Sequence, residues 1–152
     1  MDRIPKVVAY IVREGRLLVF THADDASPFE SGLQVPVGTV RAGELPEAAV
    51  LREAYEETGL EGLRIERFLG VNEFDSRPYT NALHIRHYFH LSVDAPQVPE
   101  RWIAYERGDA YDSPIPPEAD PAAIKFALFW VPLQKAHVVA AGQTALLGRL
   151  YD

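Results

Sequence analysis

The sequence predicts an α+β fold in which a mixed β-sheet lies between helices. Three observations carry this expectation. Runs of β-branched and aromatic residues stand on both sides of one central helical stretch, that stretch is bounded by Pro46 and Gly59, and an apolar-periodic segment closes the chain. Strand pairs before and after a single helix suit a layered domain better than a succession of βαβ units.

Val7-Val8-Ala9-Tyr10-Ile11-Val12, the turn-prone Arg13-Glu14-Gly15 and Leu17-Leu18-Val19-Phe20 read together as a hairpin from Ile4 to His22. A polar loop spans 23–32, and a short apolar piece, 33–37, leads into Gly38. Pro46 suits the first helical position and Glu47 the first turn, where partial positive charge favours an acid. Gly59 suits the residue after the last turn, so the helix runs from Pro46 to Thr58. Leu63–Phe74 and Ala82–Val93 have strand composition and are separated by Asp75-Ser76-Arg77-Pro78, which predicts a second antiparallel pair. Residues 94–121 hold six prolines and seven acids and read as a long acidic loop. Ile124–Val131 reads as a buried strand, with Trp130 in the core, and His137–Leu150 as a closing helix.

A chain of 152 residues is long enough to bury a core, and one domain over 1–152 is expected. The absence of cysteine excludes disulfide frameworks, thiol catalysis and thiolate metal sites. With no secretory signal pattern and no apolar run of membrane-spanning length, a cytoplasmic protein without membrane attachment is expected. The net charge of −7 disfavours binding to extended nucleic acid but allows a small polyanionic substrate where a cation intervenes. The sequence is also compatible with a homodimer.

The chemistry concentrates in the helix. Glu53, Glu56 and Glu57 stand at i, i+3 and i+4 and share one face, while Leu51, Ala54, Tyr55 and Thr58 lie on the other and are expected to face the core. Three carboxylates within one turn repel one another, and a hard divalent cation relieves that repulsion. Magnesium prefers oxygen ligands and keeps positions for water and phosphate, which are the needs of phosphoanhydride hydrolysis. Arg52 can pair with Glu56 at i+4 and orient it. Taken alone, the three glutamates are better explained by an ordinary solvated acidic face.

The surrounding spacing decides otherwise. Gly38, Glu44, Arg52, Glu53, Glu56, Glu57 and Gly59 satisfy every fixed position of G-x5-E-x7-R-E-U-x-E-E-x-G-U, where U is a bulky apolar residue. From average residue usage, that coincidence arises by chance in roughly one chain per million. The stretch resembles the box of the Nudix (MutT-like) hydrolases; Ala54 is small for the first U position and Leu60 suits the second.

The resemblance implies a Nudix-type α/β/α sandwich, with Glu53, Glu56 and Glu57 holding magnesium or manganese and Gly38 and Glu44 shaping the loop and metal site. Glu53, Glu56, Glu57 and Arg52 form the expected catalytic set, and Gly38 and Glu44 are expected to belong with the three glutamates to the metal site. The implied activity is hydrolysis of a phosphoanhydride bond in a nucleoside triphosphate, nucleotide sugar, ADP-ribose or dinucleoside polyphosphate. The alternatives are a non-catalytic ligand-binding or regulatory domain, which would be expected to lose box carboxylates, and an isomerase, which needs an acid-base pair outside the box.

Outside the box, the strand 83–91 alternates. Ile85, His87, Phe89 and Leu91 fall on one side and His84, Arg86, Tyr88 and His90 on the other. Arg86 or His90 is a candidate phosphate contact and Tyr88 a candidate stacking surface, against the plainer reading of a half-exposed strand face. His87 is expected to be a hydrogen-bonded core histidine. His22 and Gln34 are candidates to face substrate. Glu106, Asp109 and Glu118 are alternatives for a further metal ligand or general base within a specificity loop.

Overall fold

The computed structural model describes residues 1–24, 32–106 and 114–151. Strand β1 (Asp2–Arg13) carries an unbroken buried run from Val7 to Ile11, so both of its faces lie in the core. It turns through Glu14 and Gly15 into β2 (Arg16–His22). The expected hairpin is paired only at Val12–Leu17 and Arg13–Arg16, and the two strands then part.

Beyond that point β1 runs parallel to β5 (Ala82–Val93), from Asp2–Ala82 to Ile11–Leu91, while β2 pairs antiparallel with β7 (Ile124–Pro132). The strand order is β4-β5-β1-β2-β7-β6, with β4 (Leu63–Asp75) and β6 (Arg101–Glu106) at its ends. The three-residue β3 (Val37–Thr39) pairs with the first half of β1. One parallel pair among antiparallel ones gives the mixed sheet of an α+β fold, and β4 and β5 form the antiparallel pair expected from the sequence.

Helix α1 (Pro46–Thr58) has the expected ends: Pro46 in the first turn, and Gly59 in left-handed conformation at φ 72°, its N–H bonded to Tyr55 O. Its faces differ from expectation. Ala54 and Thr58 are buried, but Tyr55 is 53% exposed, and Glu53 and Glu57 are themselves buried. The acidic face is turned toward the sheet. The small side chain of Ala54, unusual for its box position, is fully buried beside them.

Two apolar clusters cover the two faces of the sheet. Val7, Ile11, Leu18, Phe20, Phe89 and Leu128 pack with Val50 and Ala54 of α1. Val8, Tyr10, Leu17, Val19 and Tyr88 pack on the other face with Ala136 and Val139. Trp130 is in the core as expected, its indole N–H donating to Pro99 O at 3.0 Å.

The closing helix expected over His137–Leu150 does not form. That face is covered by 3-10 segments at Leu133–Val138 and Leu147–Tyr151 with turns between them. The reason is local: Ala141 and Gly142 both take positive φ, 57° and 68°, which no α-helix continues through, and Val139 bridges to Leu33. The acidic stretch 94–121 is likewise more than a loop. It contains β6, where Trp102 and Ala104 turn inward, and a 3-10 turn at Pro117–Ala119. Among the described residues no helix is long and apolar enough to cross a membrane.

The C-terminal segment is locked to the loop before β3. Gln143 is buried; its side-chain Oε1 accepts the Val35 N–H at 2.8 Å, and its carbonyl accepts the Tyr10 hydroxyl. Gln143→Leu leaves the fully buried Val35 N–H unpaired, and we expect a loss of about 2 kcal/mol in unfolding free energy by urea titration. An unchanged midpoint and slope would contradict this role.

Candidate active site

The site is built where α1 packs against β1, β3, β4 and β6. Gly38, at the centre of β3, faces α1, and a Cβ at this position would coincide with the Glu53 carboxylate. The missing side chain is therefore the space that Glu53 occupies. One residue earlier, the Val37 N–H is not used by β1 and donates to Glu57 Oε2 at 3.2 Å, which brings a second carboxylate to the open edge of β3.

Carboxylate oxygens of Glu53, Glu56 and Glu106 lie within 4.8 Å of one another. Glu106 is the last residue of β6, so the strand that the sequence reading missed delivers the acid that completes the group. Glu57 stands beside them. Burial first, then the Glu106 and Glu53 carboxylates, push its carboxyl well above the usual range.

Arg52 organises these acids. Its Nε and Nη2 engage Glu44 in a two-pronged contact, both at 2.8 Å, and Nη1 reaches Glu53 at 2.7 Å and Glu56 at 3.2 Å. Nη2 also donates to Thr39 O at 3.0 Å, tying the helix to β3. The expected i,i+4 pairing with Glu56 is therefore one part of a larger brace. Glu44 accepts the Arg41 N–H as well, and the Arg52 hydrogen bonds hold its carboxyl down to about 2. Glu44 thus contacts Arg52 and the Arg41 backbone, and it acts on the site through them.

His22 and Gln34 border the acids. With Phe20, Phe126, Glu57 and Glu106 they line a cavity of about 200 Å³, and the His22 ring meets Phe126 edge-on at 5.4 Å. A larger, more apolar cavity of about 670 Å³ lies against Thr21, Leu33, Ile103 and Phe129, with no carboxylate among the described residues of its lining. Of the candidate acids, Glu57 and Glu106 line the smaller space.

Arg86, Tyr88 and His90 are not brought to the acidic face. They point to the opposite face of the sheet, where Arg86 and Tyr88 are buried beneath the C-terminal segment. Arg86 donates to Ala141 O at 2.8 Å and lies 3.9 Å over the Phe74 ring. His90 is half-buried and pairs across the strands with Tyr10 and Arg67. His87 is half-buried, its Nδ1 3.2 Å from Lys6 O. Glu118 is exposed in a groove that it shares with Glu56, and Asp109 lies outside the described residues.

Sequence reasoning missed Lys6, whose Nζ donates to Thr39 Oγ1 at 2.7 Å across 33 residues of chain. No spacing signal links residues so far apart.

A family model for the NUDIX domain matches residues 2–146. A search of curated protein sequences finds no match. Among solved structures, the fold is similar to a MutT protein from Methanosarcina mazei Go1 at 20% identity and TM-score 0.65, covering 99% of this chain and 94% of that one. It is similar to a MutT NUDIX hydrolase from Burkholderia pseudomallei at 22% identity and TM-score 0.59, covering 99% of both chains. A UDP-X diphosphatase matches at 17% identity and TM-score 0.62; 99% of this chain is covered, but it spans only 64% of that protein. With the family model covering nearly its whole length and every fixed position of the box occupied, the chain belongs to the Nudix family and is a hydrolase.

Proposed function

We propose that this chain, as one domain over 1–152, is a metal-dependent pyrophosphohydrolase. It cleaves a phosphoanhydride bond in a small nucleotide-like substrate whose nucleoside diphosphate is linked to another group. Nucleoside triphosphates, nucleotide sugars, ADP-ribose and dinucleoside polyphosphates make up that class. The reading is of a cytoplasmic enzyme that binds neither extended nucleic acid nor membrane.

The observation that carries this proposal is the convergence of Glu53, Glu56 and Glu106 within 4.8 Å, with Arg52 bracing two of them. These donors fit magnesium or manganese. They are all carboxylate oxygens, they come from two separate elements, and Gly38 leaves the room that Glu53 needs. Glu53, Glu56 and Glu106 would hold the cation, and Glu57, which lines a cavity with Glu106, would complete the oxygen set.

Bound there, the cation would supply Lewis acidity that screens phosphate oxygens and makes a water easier to deprotonate. The protein's part is positional. Arg52 fixes the rotamers of Glu53 and Glu56, Glu44 fixes Arg52, and the Val37 N–H holds Glu57 at the strand edge. A carboxylate of the set accepts the proton of the attacking water as its oxygen bonds to phosphorus and the bridging oxygen departs.

A panel of nucleoside triphosphates, nucleotide sugars, dinucleoside polyphosphates and ADP-ribose, assayed with magnesium or manganese for phosphate release, tests this reading. We expect turnover on at least one class. Inactivity throughout would favour a ligand-binding domain instead. On the active substrate, Glu56→Gln or Glu57→Gln should lower kcat on the order of a thousandfold while circular dichroism stays native. Full activity in both variants would refute the assignment. Gly38→Ala should displace Glu53 and weaken manganese binding by about 10- to 100-fold in calorimetry. An unaltered affinity would show that the close approach of Gly38 and Glu53 is incidental.

A further inference from the structure

Across β3 from the acids lies a second group of charged side chains. The register places Lys6 beside Arg86 on β5 and beside Thr39 on β3, and Ile4 beside His84. Residues directly opposite share a face, so Lys6, His84, Arg86 and Thr39 all project from the face opposite α1, at the β3 end of the sheet. Phe74 on β4 forms the floor, 6.0 Å from the His84 ring and beneath the Arg86 guanidinium.

Among the described residues no salt bridge joins Lys6, His84 or Arg86 to an acid; the acids that act on Lys6, Glu53 and Glu57, belong to α1. The Lys6 ammonium donates to a hydroxyl and Arg86 donates to a carbonyl. Arg86 is 3% exposed, yet its Nε is buried with no hydrogen-bond partner, and the same holds for His84 Nδ1. Buried nitrogens of this kind are costly unless something pairs with them. Burial is the largest influence holding the Lys6 ammonium and the His84 imidazole below their ordinary ranges. Arg86 pushes both the same way, and Lys6 does so on His84, whereas Glu53 and Glu57 oppose the effect at Lys6.

Lys6 is thus close enough to feel the carboxylates while standing on the other side of a strand only three residues long. We propose that Lys6, His84 and Arg86, with the Thr39 hydroxyl, form a phosphate-binding subsite. It receives a second phosphoryl group of the substrate, while the group under attack lies at the carboxylates along the open edge of β3. This rests on the phosphoanhydride reading above and sharpens it: the substrate is held by a phosphate on each side of β3. In a chain of net charge −7, this basic group offsets the repulsion that a polyphosphate would otherwise meet.

Binding without turnover tests the subsite separately from the activity. The full chain, kept free of divalent metal with EDTA, is titrated with inorganic pyrophosphate at constant ionic strength while the histidine side-chain signals are followed by NMR. We expect saturable binding that moves the His84 signals and leaves those of His137 in place. Lys6→Gln and His84→Asn should each weaken binding at least tenfold, and Lys6→Arg should retain it. Lys6 and His84 are only partly buried, so both variants are expected to fold, and thermal unfolding checks this. No saturable binding, equal competition by chloride, or an unchanged dissociation constant in Lys6→Gln would overturn the subsite even in an enzyme active on the panel. A chain inactive on the panel that still binds pyrophosphate through Lys6 would keep the subsite and lose the reaction.

Discussion

The structure depends on one unusual packing decision: the acidic face of α1 is turned onto β3 and not out to water. Burying Glu53 and Glu57 carries a desolvation cost that an exposed acidic helix avoids. Three features make it sustainable. Gly38 removes the side chain that would block Glu53, the Val37 N–H meets Glu57, and Arg52 supplies charge to Glu53 and Glu56 together. Four carboxylates remain in one small region, with Arg52 bracing two of them and Arg41 3.8 Å from Glu56, and a divalent cation would balance such a set.

Rigidity behind the site comes from the opposite face of the sheet. The C-terminal segment, with no α-helix of its own, is tied through Gln143 to Val35 and through its carbonyls to Tyr10 and Arg86. Val35 lies two residues before β3, so this lock holds the strand against which α1 docks. The C-terminal segment thereby steadies the acidic site from the opposite face of the sheet.

The strand at the centre of the site, β1, divides its pairing among β2, β3 and β5. β1 leaves β2 after two residue pairs, and the gap this opens on that edge is filled by β3, while the parallel strand β5 pairs along the other edge. A continuous hairpin would have paired the first half of β1 with β2 and left β3 no place beside it. Acids and basic groups end up on opposite faces of one short strand because side chains alternate along it: Gly38 faces the helix and Thr39 faces Lys6.

The α1 boundaries, the central strands and the spacing that makes Glu53, Glu56, Glu57, Arg52, Glu44 and Gly38 candidates were legible in the sequence, because caps, period and box spacing are local properties of the chain. Which face of α1 is buried was not legible: periodicity shows that two faces exist, and the sheet decides which one it covers. Tyr55 was assigned inward and lies outward for that reason. Strand β6 was hidden by the prolines and acids averaged around it, and with it the choice of Glu106 among three acids. The absent closing helix was decided by left-handed backbone at Ala141 and Gly142, which the apolar spacing of that segment does not reveal. The sequence by itself determined which residue types the site contains. Only the tertiary structure decided which distant residues, Glu106 beside Glu53 and Lys6 beside Arg86, share it, because strand order and register are settled by packing across the whole sheet.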